Sequence, residues 1–339
     1  MKTLAISRSR IVRSCRAFLP AASFMLLLLL PASCERRPLM EQSNNVYLDL
    51  ELDTDIVNYE VTGLPDVMKV NFYHPDTEEL LYEDFTEADG GPLGVPPGTY
   101  DIVVYNFGTE STIIRGEDTH SGAEAYSGEI SDFMKGQLTS LLSLRAANYA
   151  SKGDEVHEET IVNTPDHLWV AREFSVTVPV QVTDDPEPYV ISTKASTVVE
   201  TYTIDIREIT GGQYISTVSA LLSGMVESNF IGHNIRSENP VTLYIELSVD
   251  ESGTSLSGKF NTFGKFPGAR SELTLDLLVT DTGGGEHVFT WDITDQFDDN
   301  DEQHLEVIDQ IDIPAPDGGG GGLDPDVDDW DDIESDIII

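Results

Sequence analysis

The chain of 339 residues predicts an all-β protein built as two tandem antiparallel β-sandwich domains with one short helix. Three observations carry this. Short segments in which apolar and polar residues alternate recur along the chain, the period-two pattern of half-buried strands. Gly, Pro and Asn/Asp clusters punctuate them, and the connections are too short for the crossover helices that parallel strands require. The length beyond Cys34 is enough for two ordinary domains and a sizeable core.

Residues 1–33 come first. Lys2, Arg8, Arg10, Arg13 and Arg16 precede an apolar run over residues 24–30, and Pro31, Ala32, Ser33 and Cys34 close it. That is the order of a secretory signal. Residues 17–32 contain two prolines and fall short of the ~20 apolar residues a spanning helix needs. The ending resembles the signal peptides of bacterial lipoproteins, although Pro31 stands where those usually carry a large aliphatic residue. The resemblance implies acylation of Cys34, palmitate among the chains, and a stable lipid anchor. Loss of the five signal-peptide cations takes the formal charge from −42 to −47. A chain so acidic repels nucleic acid and anionic head groups, which leaves proteins, cations or sugars as partners. Cys15 departs with the signal and an acylated Cys34 offers no thiol, so the mature chain has no disulfide and rests on core burial.

Residues 34–45 form a polar tether, and 46–165 the first domain. Val46, Leu48, Leu50 and Leu52 share one face of its first strand, over residues 46–52. Similar strands are predicted at 67–73, 79–85 and 99–107. The glycines and prolines of residues 90–98 predict a tight turn into the last of these. Ile130, Phe133, Met134, Leu138, Leu141 and Leu142 fall at helical spacing, interrupted by Gly136, and predict one packing helix within residues 127–150. Residues 152–164 are polar and read as the interdomain connection. The second domain spans residues 166–316, with strands at 174–182, 198–209, 241–249, 256–263, 273–279, 288–293 and 305–311. Residues 214–226 suit either a strand or a buried helix. Residues 317–339 make a tail joined through the glycines at 318–322, which give a reach of roughly 13 Å.

Catalytic motifs are missing: there is no G-x-S-x-G elbow, H-E-x-x-H, C-x-x-C or P-loop. His157, Glu158 and Glu159 begin like a zinc motif, but Ile161 stands where the second histidine belongs. His167 beside Trp169 reads as a packing cluster at the domain junction rather than a ligand-reading pair. Asp292, Asp295, Asp298, Asp299, Asp301 and Glu302 crowd one loop with oxygen chemistry that suits calcium. They lack the glycine and closing glutamate of an EF-hand loop and read as a solvated acidic loop. The reading is therefore of a non-enzyme with no cofactor and no metal.

The Cys34 ending, the Pro96-Pro97-Gly98-Thr99-Tyr100-Asp101 entry to a strand, the Asn261-Thr262-Phe263-Gly264 stretch and the acidic glycine-linked C-terminus together resemble a family of Bacteroidales lipoproteins of unknown function. That family is similar to the fimbrillins and FimB-like fimbrial anchors. The resemblance implies transthyretin-like Greek-key sandwiches and lipid attachment to the outer membrane. It further implies fimbrial subunit proteins as partners, in anchoring or assembling surface fimbriae by strand exchange. In fimbrillins it also implies an arginine-directed cut that removes the lipid and the first strand. Here Arg36 and Arg37 precede the strand at 46–52, and the next arginine is Arg115. In the tail, Ile337, Ile338 and Ile339 are three β-branched residues suited to dock as a donor strand; an inert acidic tail and a tail folded back onto its own domain are the other readings. A glycan-binding lipoprotein or a surface hydrolase is the alternative. Trp169, Trp291 and Trp330 are too scattered in sequence to outline a sugar platform.

Overall fold

Alternation decides the first strand: Val46, Leu48 and Leu50 are buried while Tyr47, Asp49 and Glu51 face outward. The computed structural model describes residues 44–152, 160–181, 187–266, 273–298 and 300–316. Its strands are β1 (Asn44–Leu52), β2 (Met68–Tyr73), β3 (Leu80–Thr86), β4 (Gly90–Val95), β5 (Gly98–Asn106), β6 (Thr112–Arg115), β7 (Glu124–Ser127), β8 (Ile161–Asn163), β9 (Trp169–Val178) and β10 (Tyr189–Thr197). They continue with β11 (Glu200–Thr210), β12 (Ile215–Val226), β13 (Ser228–Phe230), β14 (Ile235–Arg236), β15 (Pro240–Glu246), β16 (Ser248–Val249), β17 (Ser255–Thr262), β18 (Thr274–Asp281), β19 (Glu286–Asp292) and β20 (His304–Asp312). Two helices, α1 (Asp132–Gln137) and α2 (Thr139–Lys152), lie between β7 and β8. The fold is all-β, as the patterning predicts.

The N-terminal half is one seven-stranded sheet, ordered β3-β2-β5-β9-β10-β1-β4. It curls until its outermost strands meet, where the Gly94 amide donates to Asp84 Oδ2 at 3.1 Å. The curl encloses Leu48, Val70, Phe72, Ile102, Val104 and Trp169, each buried side chain contributing about 1.5–3 kcal/mol. The C-terminal half is a sandwich of two sheets, β16-β17-β11-β20 and β19-β18-β12-β15-β8. Ile204, Leu222, Leu243, Phe260, Leu277 and Leu305 fill it. A small sheet, β14-β13-β7-β6, lies beside a third cluster in which Tyr105 and Leu168 meet Val226, Ile231 and Phe263. The described residues all fall within one compact unit that begins at Asn44.

The structure differs from the expectation in specific places. β9 and β10, which follow the predicted boundary at 165/166, lie in the sheet of β1 to β5, and β8 pairs with β15. The sheet limits therefore do not follow that boundary, and Ile161, Val162 and Asn163, predicted as connection, form a strand. Most pairs are antiparallel, but β1·β10, β11·β20 and β8·β15 are parallel. Their partners lie far apart in sequence, so connection length does not restrict them. The single predicted helix is two, because Leu138 leaves helical geometry at φ −95°, ψ 9°. Leu138 and Leu141 pack against Leu221 and Leu278, whereas Phe133, predicted on the packing stripe, is 72% exposed. Residues 90–95, predicted as a turn, form β4, and residues 215–226, left between strand and helix, form β12. Gly90 is required there: with φ +97°, a Cβ would sit 2.0 Å from the Leu48 carbonyl oxygen.

Candidate functional site

The first candidate is the slot that holds β1 between β10 and β4. β1 pairs in parallel with β10, from Val46 opposite Tyr189 to Leu52 opposite Ala195, and antiparallel with β4, from Asn44 opposite Val95 to Asp49 opposite Gly90. Both of its backbone edges are thus used, and its apolar face enters the curled core. Without β1, two strand edges and a row of apolar pockets would stand open between β10 and β4. Arg36 and Arg37 lie before β1, outside the described residues.

The seam between the halves carries the His167–Trp169 pair. His167 is only 6% exposed. Its Nδ1 lies 3.3 Å from Thr197 Oγ1 and its Nε2 2.9 Å from Thr201 Oγ1. Tyr59 lies over the ring, centroids 3.7 Å apart. Burial lowers its pKa to about 4. Trp169 Nε1 donates to the Asp53 carbonyl at 2.8 Å, and Asn106 bridges the His167 carbonyl and the Trp169 amide. The loop after β1 then reaches across the seam. Asn58 Nδ2 donates to the carbonyls of Glu302 and Gln303 at 2.9 and 3.0 Å, and Lys259 Nζ donates to the Asn58 carbonyl at 3.1 Å. The contacts of the pair are those of a packing cluster.

Three polar clusters escaped the sequence reading, because their members are far apart in the chain and share no spacing. On the outer face of β2, Lys69 Nζ lies 2.8 Å from Glu117 and 3.1 Å from Glu83, and Tyr105 also donates to Glu117. Burial pushes the Glu117 carboxyl up, but the hydrogen bonds from Lys69, Tyr105 and Asn71 outweigh it and its pKa falls. Burial pushes the Tyr73 hydroxyl up to about 12. In the second cluster His120, 1% exposed, meets His233 at 4.7 Å between ring centroids. Gly232 makes this approach possible, since a Cβ there would lie 2.0 Å from the His120 carbonyl oxygen. Burial and the neighbouring His233 lower the His120 pKa. In the third, Arg145 of α2 pairs with Asp276 of β18 at 3.1 Å, and Thr290 Oγ1 donates to Asp276 at 2.7 Å. Burial outweighs both partners and raises the Asp276 pKa.

In the acidic loop, Asp292 Oδ1 accepts from the Thr294 amide at 3.0 Å, and Asp298 pairs with Lys265 at 3.0 Å. Among the described residues no group of acidic, histidine or cysteine side chains is arranged to hold a metal ion. Asp299, His157, Glu158 and Glu159 lie outside the described residues, as do Cys34, Ile337, Ile338 and Ile339.

Comparison with known proteins places this architecture. A family model described as a domain of unknown function (DUF5119) matches residues 33–246. The chain belongs to that family. This DUF5119 chain is also 28% identical over 232 residues to Fim4B of Bacteroides ovatus, named as a fimbrium anchoring subunit. The match covers 68% of this chain and 60% of Fim4B, so the chain spans about three fifths of that relative. A crystal structure named for an adhesin of Bacteroides ovatus shares the fold at a TM-score of 0.54 and 23% identity, over 83% of this chain and 98% of that one. The fimbrial anchor protein Mfa2 of Porphyromonas gingivalis aligns at a TM-score of 0.44 and 15% identity, over 78% of this chain and 90% of its own. The expected kinship with Bacteroidales fimbrial proteins holds.

Proposed function

We propose that this chain anchors a surface fimbrium to the outer membrane. Acyl chains on Cys34 hold it there, and strand exchange through Ile337, Ile338 and Ile339 joins it to a neighbouring fimbrial subunit. The observation that carries the reading is the place of β1 relative to the arginines. A cut at Arg37 would free the lipid yet leave β1 seated between β10 and β4, and no further arginine occurs before Arg115. A subunit that keeps its first strand does not open the slot a stalk subunit would need, which suits a terminal position. The likeness to Fim4B supports the anchoring role. The role proposed is a structural one, in keeping with the likeness to Fim4B.

Protein recovered from shed fimbriae and from outer membranes is to be sequenced at its N-terminus. The expected start is at Cys34 or between Arg37 and Val46; a start after Leu52 overturns the reading. Replacement of Cys34 with alanine is expected to move the protein out of the detergent phase, and equal partitioning would exclude the lipid anchor. Deletion of residues 323–339 is expected to abolish binding to the neighbouring subunit at an unchanged melting temperature. Unchanged binding would remove the tail from the mechanism.

A further inference from the structure

We infer that the fold carries tension between its two ends, with the parallel pairs β1·β10 and β11·β20 set in series as shear clamps. The inference rests on the anchoring role, which applies a pull at each end: at β1 from the membrane side, and beyond β20 from the fimbrial side.

The geometry follows from strand direction. Parallel strands pulled at opposite ends slide along each other, so every ladder bond is strained at once. The same strands pulled at one common end separate bond by bond. A pull entering β1 at Asn44 passes across the ladder to β10 and leaves at Thr197, the opposite end of the parallel pair. Only Val198 and Val199 separate β10 from β11, so the same pull enters β11 at Glu200. It passes across the second ladder, from Thr203 opposite His304 to Thr210 opposite Asp312, and leaves β20 at its C-terminal end. Both clamps are therefore loaded in shear, one after the other. The third parallel pair, β8·β15, is not on that path.

Side chains tie each clamp across its ladder. In the first, Ser192 Oγ donates to Asp49 at 3.2 Å, Lys194 lies 3.5 Å from Asp53, and the Asp53 amide donates to the Ala195 carbonyl at 2.8 Å. In the second, Arg207 pairs with Glu306 at 3.0 Å, and Thr203 Oγ1 lies 2.9 Å from His304 Nδ1. Asn58, in the loop after β1, ties the first clamp to the second through the Glu302 and Gln303 carbonyls just before β20. An otherwise antiparallel molecule places two of its three described parallel pairs on the path between its termini, where parallel direction resists extension.

Single-molecule pulling of the mature chain tests this. Unacylated Cys34 supplies one handle, and a cysteine appended after Ile339 supplies the other. A second protein carries the exposed Glu187→Cys as its other handle, so that β1 and β10 are drawn apart from their common N-terminal ends. Circular dichroism confirms that both proteins are folded. The end-to-end geometry is expected to unfold at a force at least about twofold above the peeling geometry, since forced unfolding reads the unfolding barrier. Equal forces, or a lower end-to-end force, overturn the inference. The measurement uses purified protein without lipid or partner, so its failure is separate from a failure of the anchoring role, which N-terminal sequencing and detergent partitioning decide.

Discussion

β1 and β20 are the first and last strands of the described chain, and each has a parallel partner, β10 and β11, yet they are secured in different ways. β1 has a strand on either side. β20 has β11 on one side and ends its sheet on the other. There, Gln296 mimics a missing strand: its Nε2 donates to the Glu306 carbonyl and its Oε1 accepts from the Glu306 amide, both at 2.8 Å. Asn300 does the same at His304, at 2.8 and 3.3 Å. A register shift between Arg207 and Ile209 then breaks the ladder and leaves Ile308, Asp309 and Gln310 exposed. Plugs, a bulge and charge blunt an edge against another chain. β1 is thus held by a strand on each side, whereas the outer edge of β20 is closed by side chains.

The largest effect that would break this contrast is in the core face of β1. Leu48→Ala removes a fully buried side chain and is expected to destabilise the protein by about 2–5 kcal/mol in urea unfolding. A value below about 1 kcal/mol would mean that β1 is loosely seated and that its slot opens readily.

The seam is expected to respond to pH. The folded pKa of His167, about 4, lies below its ordinary 6.5, so the folded state resists protonation. Its contribution is complete above pH 6.5 and is lost as pH falls from there towards 4, with an upper bound of roughly 3 kcal/mol. His120, also lowered, acts in the same direction. Urea midpoints at pH 7 and 5 are expected to differ less in His167→Gln than in the wild type. An unchanged slope would take His167 out of the seam's energetics.

The smallest effect on stability sharpens the comparison most. Gln296→Ala removes two hydrogen bonds from the free edge of β20 and is expected to cost about 1–2 kcal/mol. With the plug gone, sedimentation at high concentration is expected to show self-association through that edge. A monomer at every concentration would assign the protection to the bulge and the charges instead.

Much of the strand content is legible in residue order. Alternation of Val46, Leu48 and Leu50 marks β1 because burial repeats every second residue, and helical spacing marks Leu138 and Leu141. The same spacing places Phe133 on the stripe, yet the chain bends at Leu138 and the ring stays exposed. Two ring residues separated by one position, His167 and Trp169, point to a seam because neither ring suits a solvated loop. His120 with His233, and Arg145 with Asp276, leave no local trace, since each half of the pair is ordinary in its own neighbourhood.

By itself, then, the sequence determined the class of the fold, the faces that are buried and most strand positions, all of which depend on side chains read a few residues at a time. Only the tertiary structure decided that β9 and β10 complete the first sheet, that β1 lies parallel to β10 and β20 to β11, and that Gln296 closes an edge. The physical reason is that ladder bonds join backbone groups common to every residue. Which strand takes which partner depends on packing across the whole chain, and no local pattern of side chains encodes it.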